Sequence, residues 1–227
     1  MAMTAEPAAL EIEVFSDVVC PWCFIGKRRL EEALSRLAAD EPSFTAEVRW
    51  RAFQLNPDLP RAGIDRESYL AAKFGSPARA VTIYDRVRSA GKTVGIHFAF
   101  DRIMRQPNTR DVHRLIAWAQ QGGRDAADVV ERLFAAYFLD GRSIGEMATL
   151  CEIAHEAGLD AAAARAHLAS DAGNSAIAES DRRARALGVT GVPFFIVAGR
   201  VAVSGAQTAD VLCDAIAQGR AAARVPA

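Results

Sequence analysis

The chain has 227 residues, 51% of them hydrophobic and 24% charged, and its formal net charge at pH 7 is -1. This length suffices for one large domain, or for one domain that carries an insertion. Because basic and acidic residues balance and are interspersed, the composition excludes the strong positive field typical of nucleic-acid-binding proteins. We therefore expect no nucleic-acid partner.

The first predicted elements form a strand–helix–strand unit. Residues 11–16 contain a polar–apolar alternation that indicates a strand, and Pro21 suits the first position of a helix, where its missing N–H has no partner to lose. The charged residues of this helix, Lys27 among them, are expected on faces away from its leucines. Residues 46–53 are the second predicted strand, and a helical crossover implies that the two strands pair in parallel.

From about residue 60 to residue 187, strand signals almost vanish and Ala-rich helical periodicity dominates. Apolar residues recur at helical spacing, so this region can pack into a core. The predicted helices are 66–74, 78–90, 109–121, 125–139, 146–157, 161–169 and 173–187.

Strand signals return after Gly188. Residues 194–197 and 201–204 are two apolar runs separated by a turn-like segment, which predicts a hairpin. Thr208 is typical of a helix cap and precedes the last predicted helix. The order is therefore strand–helix–strand, a helical block, then strand–strand–helix.

Two cysteines lie at the start of the first helix, in the motif Cys20-Pro21-Trp22-Cys23. Unpaired N–H groups and the helix dipole favour a thiolate at Cys20, whereas Cys23 lies nearly one turn further in and should be less exposed. We predict that Cys20 is the nucleophile of thiol–disulfide exchange and that Cys23 resolves the mixed disulfide. Pro21 stiffens this loop and Trp22 covers it with apolar surface, so both are candidate substrate-binding residues.

The other cysteines leave alternatives open. Cys151 and His155 are four residues apart and could complete a zinc site together with the cysteine pair. Proline and tryptophan between the paired cysteines are unusual for zinc, so we expect no metal. Cys151 and Cys213 are then small buried residues. A cysteine pair without any function is the remaining alternative.

Residues 1–7 show neither the basic segment nor the apolar segment of a secretory signal. No stretch approaches the roughly 18 apolar residues of a membrane span. We therefore expect a cytoplasmic protein without a membrane partner, in which a disulfide is transient and catalytic. The oligomeric state is open, and a homodimer is one alternative.

Val192-Pro193 precedes the predicted hairpin. Together with the cysteine pair, it resembles the thioredoxin superfamily, which places a cis-proline loop opposite its C-x-x-C helix. The resemblance implies a cis Val192–Pro193 bond and a Val192 backbone that pairs with an extended substrate across the sulfurs. The sequence is further similar to the FrnE-like branch of the DsbA family. The segments that carry this similarity are 17–27, 53–57, 108–115, 137–138, 191–195 and 204–207.

This resemblance implies an α/β thioredoxin-like fold, with a β-α-β … β-β-α mixed sheet and a large inserted all-helical domain. The thioredoxin-like domain is expected over residues 10–60 and 188–220, and the helical domain over residues 61–187. The implied activity is dithiol–disulfide exchange or isomerisation with protein or small-molecule thiols. No metal or organic cofactor is required, because the sulfurs are the redox centre, and glutathione is a candidate co-substrate.

Four further residues are candidates for the site. The buried acid that distant family members carry six residues before the first cysteine is Val14 here, and Asp17 is the nearest carboxylate. Asp17 either relays a proton for Cys23 or is a solvated loop or cap residue. Asn108 either contacts glutathione or, with its neighbour Thr109, caps a helix. His113 either titrates in the cleft or is a packed structural residue. Phe194 lines an apolar groove beside the sulfurs or belongs to the core.

Two rival functions accompany the redox hypothesis. One is a glutathione-dependent isomerase or transferase, similar to the kappa-class transferases and the hydroxychromene carboxylate isomerases, which share this architecture but lack a redox pair. The other is a chaperone-like module that binds through an apolar cleft. Retention of both Cys20 and Cys23 favours redox chemistry.

Overall fold

A computed structural model of the chain describes residues 9–75 and 77–223. The N-terminal residues searched for a signal lie outside this part of the chain. The strands are β1 (Leu10–Ser16), β2 (Ala46–Ala52), β3 (Ile64–Asp65), β4 (Arg105–Gln106), β5 (Phe194–Val197) and β6 (Val201–Ser204). The helices are α1 (Pro21–Asp40), α2 (Arg66–Phe74), α3 (Pro77–Lys92), α4 (Arg110–Ala119), α5 (Ala127–Phe138), α6 (Met147–Glu156), α7 (Ala161–Ala169), α8 (Asn174–Ala186) and α9 (Ala209–Ala223).

The principal sheet has the strand order β2-β1-β5-β6. β1 and β2 pair in parallel, with Val14 opposite Trp50, as the helical crossover predicts. β5 is antiparallel to β1 and forms a hairpin with β6. The α/β class, the mixed sheet and the helical insertion between β2 and β5 are therefore confirmed. The short β3–β4 pair was not predicted, because two-residue strands show no periodicity.

Side chains of β1 alternate between two apolar layers, as strand geometry requires. Val14 faces the main core, to which α1 and α9 contribute, while Phe15 faces a smaller cluster with Phe53 and Ala184. Ala184 belongs to α8, so this helix packs on the sheet although residues 61–187 were predicted as a separate helical domain. The domain boundaries themselves stay a prediction.

Aromatic packing joins the cysteine helix to the helical block. Phe24 of α1 stacks on Phe134 of α5 with ring centroids 5.0 Å apart, and it meets the edge of Phe98 at 6.1 Å. All three rings are nearly inaccessible to solvent. Since such pairs add to the stabilisation that burial provides, they hold α1 against α5.

Lys27 departs from its expected place on a charged outer face of α1. It is buried, and its ammonium group pairs with Glu31 of the same helix and with Glu131 of α5, the latter at 2.8 Å. The helix periodicity predicted solvent on this face, but α5 covers it. Burial of Lys27 is tolerated because two carboxylates compensate its charge.

Glu13 is a buried carboxylate on the α8 face of β1. Arg183 donates two hydrogen bonds to it, each of 2.6 Å, and Arg51 donates one of 2.7 Å. The bonds from Arg183, followed by that from Arg51, hold the pKa of Glu13 below its ordinary value of 4.5, although burial opposes them. The ion pair between Glu13 and Arg183 joins α8 to β1.

We predict that Glu13→Gln lowers the free energy of unfolding by about 1–3 kcal/mol at pH 7, the usual worth of hydrogen bonds to a charged group. Because the folded pKa is lowered, this stabilisation is present above pH 4.5 and disappears as pH falls through the folded pKa. Urea unfolding at pH 7 and near pH 3 measures both values. Glu47→Gln, which breaks a partly exposed pair with Arg49, is the control and should cost under about 0.5 kcal/mol. An equal cost of Glu13→Gln at both pH values would contradict the prediction.

Within the described residues, no helix combines the length and apolarity needed to cross a membrane.

Candidate active site

Three loops meet at one edge of the principal sheet. β1 and β2 are parallel, so Ser16 and Ala52 end side by side. β5 runs the other way and starts at Phe194, opposite Phe15, at the same edge. The topology therefore brings together the loop before α1, the loop after β2 and the loop before β5.

Cys20 occupies the N-cap position of α1 in an extended conformation, and Pro21 follows in the first turn. Its thiol donates a hydrogen bond of 3.4 Å to the backbone carbonyl of Val192. Only 6% of Cys20 is exposed, and its sulfur lies at the N-terminus of α1. Trp22 is 40% exposed, so it presents apolar surface next to this sulfur.

Cys23 lies behind Cys20 and is 1% exposed, as the helical spacing predicts. Both cysteines are present as thiols. Burial raises the pKa of Cys23 well above its ordinary value, and the neighbouring Cys20 sulfur raises it further. The Ser16 hydroxyl and the Asp17 backbone, which favour the thiolate, oppose this rise. Cys23 thus keeps its proton more strongly than a solvated thiol.

The Val192–Pro193 peptide bond is cis, as the resemblance implies. The Pro193 ring packs directly on α1, where a Cβ atom added to Gly26 would lie 2.8 Å from Pro193 Cγ and 3.3 Å from the Phe195 ring. Real Cβ atoms essentially never approach another atom below 3.0 Å, so only glycine fits here. The close approach holds the Val192 carbonyl against Cys20.

We predict that Gly26→Ala destabilises the fold by about 1–3 kcal/mol, because the added methyl overpacks this contact. It should also change the rate at which the cysteine pair is alkylated or oxidised, relative to wild type, because the Val192 carbonyl is displaced. Chemical denaturation and the rate of thiol modification measure the two effects. Gly191→Ala is the matched control, because a methyl group there meets nothing within 4 Å. Equal stability of the two variants would contradict the prediction.

Asp17 is completely buried, so the expectation of a solvated loop residue is wrong. The backbone N–H of Leu55 donates to its Oδ2 at 2.8 Å, because the loop after β2 folds over it. The N–H of Val19 approaches Oδ1 at 3.5 Å. His113 of α4 is 4% exposed, and its Nε2 lies 3.5 Å from Asp17 Oδ1. The structure thus pairs two residues that the sequence offered separately.

Asn108 and Phe194 serve the surrounding structure. Asn108 Oδ1 accepts from the N–H of Arg110 at 3.0 Å, and its amide donates to the Leu59 carbonyl at 2.7 Å. It therefore caps the first turn of α4, whereas Thr109 makes no capping bond with its side chain. Phe194 is half-buried and packs on the cluster that contains Phe53.

Ser16 is the residue that sequence reasoning missed. It is the last residue of β1, it is 7% exposed, and its hydroxyl acts against the rise that burial causes in the pKa of Cys23. Strand alternation could have indicated it, because Ser16 shares the face of Val14 that α1 covers. A lone serine at the end of a strand otherwise carries no signal.

The described residues do not form the ligand set that a zinc site would need. Cys151 is buried in α6, four residues before His155. Across residues 9–75 and 77–223, no three His, Cys, Asp or Glu side chains are grouped so that they could hold a metal ion.

Comparisons with known proteins agree with this geometry. A crystal structure of a probable DsbA oxidoreductase from Streptomyces coelicolor is 34% identical, with a TM-score of 0.84, over 96% of this chain and 92% of that one. The cytosolic disulfide reductase DsbM from Pseudomonas aeruginosa, in a structure with GSH, is 20% identical with a TM-score of 0.60, over 95% of this chain and 100% of that one. An uncharacterised Bacillus subtilis protein, YwbO, is 27% identical over 91% of this chain and 96% of its own length.

The sequence also matches the DSBA-like thioredoxin domain family over residues 11–217. This match spans β1 to α9 and includes the cysteine pair and the cis-proline loop. The chain therefore belongs to the family of DSBA-like thioredoxin domains.

Proposed function

We propose that this protein is a thiol–disulfide oxidoreductase or isomerase of the FrnE-like branch, acting through Cys20 and Cys23 on protein or small-molecule thiols and disulfides. One observation carries the proposal: the Cys20 sulfur lies at a helix start against the Val192 carbonyl, with the Cys23 thiol buried behind it. The more accessible sulfur can meet a substrate, and the buried one can meet only Cys20. This asymmetry is what a nucleophile and a resolving cysteine require.

In the reductive direction, the Cys20 thiolate attacks a substrate disulfide and forms a mixed disulfide, and the first substrate thiolate leaves. Cys23 then loses its proton and attacks the Cys20 sulfur. The Cys20–Cys23 bond forms, the mixed disulfide breaks, and the second substrate thiol leaves as a thiolate that takes up a proton. The substrate disulfide gains two electrons, and the cysteine pair loses two.

The surface beside Cys20 suits an extended substrate. The Val192 backbone lies against the sulfur, and a peptide laid across the pair would hydrogen-bond to this backbone as an added strand does. Pro21 and Trp22 form the other side, where the exposed indole offers an apolar contact. We assign substrate contact to Pro21, Trp22, Val192 and Pro193.

We further propose a cytoplasmic protein whose cysteine pair is recycled by glutathione or another thiol. The expected location and the presence of GSH in the DsbM structure support glutathione as a co-substrate. No organic cofactor enters the exchange steps, because the sulfurs carry the electrons. A glutathione-dependent isomerase would not need Cys23, so the dependence of activity on Cys23 separates the two functions.

A redox titration tests the proposal. The protein is equilibrated with glutathione buffers of defined potential, and its thiols are alkylated and located by mass spectrometry. We expect one two-electron transition, with a tenfold change in the oxidised-to-reduced ratio per about 30 mV. The new disulfide should join Cys20 to Cys23, with Cys151 and Cys213 alkylated throughout. Failure of Cys20 and Cys23 to pair at any potential would refute the proposed function.

A further inference from the structure

Arg66, the first residue of α2, is a buried cation whose hydrogen-bond acceptors are all neutral. It is 8% exposed, and its guanidinium donates to the Tyr84 hydroxyl at 2.5 Å and to the Tyr137 hydroxyl at 3.3 Å. It also donates to the side-chain oxygen of Gln106. No aspartate or glutamate among the described residues forms an ion pair with it. Because an isolated buried charge is costly, buried cations in proteins are normally paired with an anion.

The surroundings of Arg66 also hold more hydrogen-bond donors than acceptors. Three buried nitrogens there have no acceptor among the described residues, namely Arg66 Nε, Gln106 Nε2 and Asn56 Nδ2. The orientation of the Gln106 amide follows from Arg66, since a guanidinium can bond only to the oxygen of an amide. Buried polar groups without a partner call for one. Positive charge together with unused donors suits an anion.

Lys73 adds a second cation at the exposed end of this group. Its ammonium donates to the Tyr69 hydroxyl at 2.7 Å, and that hydroxyl donates to Asn56 Oδ1 at 3.4 Å. Lys73 forms no ion pair with any described residue. Both cations lie against the Tyr69 ring, with the Arg66 guanidinium 5.5 Å and Lys73 Nζ 5.1 Å from its centroid. We call Asn56, Arg66, Tyr69 and Lys73 the Arg66–Lys73 cluster.

The geometry of the cluster matches a carboxylate. The Lys73 ammonium and the Asn56 amide lie beside the same hydroxyl oxygen, so one ligand can reach both. An ammonium group has three donors and an amide nitrogen has two, which is enough for the two oxygens of a carboxylate. Arg66 supplies a further positive charge from the interior.

The Arg66–Lys73 cluster adjoins the redox centre. Asn56 directly follows Leu55, whose N–H donates to the Asp17 carboxylate at 2.8 Å. The Asp17 carbonyl accepts from the Cys20 N–H at 2.9 Å. Asp17 is the buried acid of this loop, and it lies 3.5 Å from His113 without forming an ion pair with Arg66. A ligand held by Asn56 is therefore at the same edge of the sheet as the Cys20 sulfur.

We propose that the Arg66–Lys73 cluster binds the carboxylate of a small organic thiol or disulfide whose sulfur reacts with Cys20. This inference rests on the proposed function, because it names the class of substrate for the same cysteine pair. Binding of the carboxylate orients the disulfide and neither forms nor breaks a covalent bond, so the exchange steps and their electron balance are unchanged. The cluster raises the local concentration of an anionic substrate, and the selectivity appears in the second-order rate constant.

Oxidation of the reduced cysteine pair tests this selectivity. The oxidants are two disulfides of different charge, the dianionic dithiodipropionate and the neutral hydroxyethyl disulfide, and remaining thiols are alkylated and measured by mass spectrometry. The charge ratio is the second-order rate constant with the dianionic disulfide divided by that with the neutral one. We expect Lys73→Gln to lower the charge ratio about 10-fold, the usual effect of losing a hydrogen bond to a charged group. The rate with the neutral disulfide should stay unchanged.

Three further variants accompany this measurement. Lys92→Gln removes an exposed lysine from the end of α3 and is the matched control, so its charge ratio should equal that of wild type. Arg66→Gln should lower the charge ratio at least as much as Lys73→Gln, because a buried charge is screened less by salt. Arg66→Lys keeps the charge and should recover part of the ratio. If Arg66→Gln fails to fold, Lys73→Gln decides, since Lys73 is exposed.

A second measurement detects binding without exchange. The Cys20→Ser protein is treated with acetic anhydride, and acetylation of Lys73 and Lys92 is followed by mass spectrometry. Dithiodipropionate should slow the acetylation of Lys73 and leave that of Lys92 unchanged, because a bound carboxylate covers only the first ammonium group. Hydroxyethyl disulfide should slow neither.

A charge ratio of Lys73→Gln equal to that of wild type, or acetylation of Lys73 that dithiodipropionate does not slow, would overturn the carboxylate site and leave the proposed function standing. A wild-type protein in which neither disulfide produces the Cys20–Cys23 bond would instead refute the proposed function.

Discussion

Cys20→Ser is expected to abolish disulfide exchange, with a loss of at least about 10³-fold in the turnover of insulin or glutathione disulfide. A serine hydroxyl stays protonated at neutral pH and cannot replace a thiolate as the attacking group. Cys20 is the sulfur beside Val192, so no other thiol can take its place at the substrate position. Turnover is measured at saturating substrate, with folding checked by thermal unfolding.

Cys23→Ser should behave differently. Cys20 still attacks, but the mixed disulfide is no longer resolved, so the substrate stays bound to the protein as a covalent adduct that mass spectrometry detects. Cys213→Ser is the matched control. This thiol lies between α9 and α1, away from the cysteine pair, and donates a hydrogen bond to the Ala33 carbonyl. It should retain full turnover. Full turnover by Cys20→Ser, or activity on an electrophilic substrate that survives Cys23→Ser, would favour the glutathione-dependent alternative.

Arg114→Met is expected to lower the free energy of unfolding by about 3–5 kcal/mol, the range found when one partner of a buried charged network is removed. Arg114 of α4 is 1% exposed. Its guanidinium donates to Asp111 at 2.7 Å and to backbone carbonyls of the last turn of α7 and of the segment that follows it. These carbonyls belong to His167, Leu168, Ser170 and Ala172.

The physical reason is that the last carbonyls of a helix have no partner within the helix. Arg114 satisfies those of α7 and so joins α7 to α4. Arg114→Lys should recover only part of the lost free energy of unfolding. A single ammonium group cannot bond at once to all the carbonyls that surround the planar guanidinium. Urea unfolding measures the three proteins. Arg110→Met removes an exposed arginine from the same helix and should change stability by under about 0.5 kcal/mol. A cost of Arg114→Met below about 1 kcal/mol would contradict this account.

Local sequence signals were enough to predict the order and type of the helices and the longer strands. The predicted helices 66–74 and 161–169 coincide with α2 and α7, and the hairpin strands coincide with β5 and β6. Periodicity of 3.6 or 2 residues is a property of neighbouring positions, so it is readable without knowledge of the rest of the chain. Helix ends shifted by one or two residues, because capping depends on side chains such as Asn108, which accepts from the N–H of Arg110 while the Leu59 carbonyl holds its amide.

The prediction of burial for charged residues was less successful. Asp17, for which a solvated loop or cap position was one of two alternatives, is covered by the loop after β2, and Lys27, expected on another face of its helix than the leucines, is covered by α5. Glu13 is buried as well, because α8 supplies Arg183 from a distant part of the chain. A charged residue in a sequence indicates solvent unless a partner is known, and the partners here come from elements that only tertiary packing brings near.

The sequence by itself determined the chemistry of this protein: two cysteines at a helix start, a valine–proline pair before a hairpin, and the element order that places both at one sheet edge. The tertiary structure decided how these parts act on one another. It placed the Val192 carbonyl 3.4 Å from the Cys20 sulfur across 172 residues of chain, it buried the Cys23 thiol, and it set His113 beside the buried Asp17. The reason is physical: the spacing of residues along a helix or strand is local, whereas the burial of a thiol, and with it the pKa of that thiol, depends on which distant elements close around it.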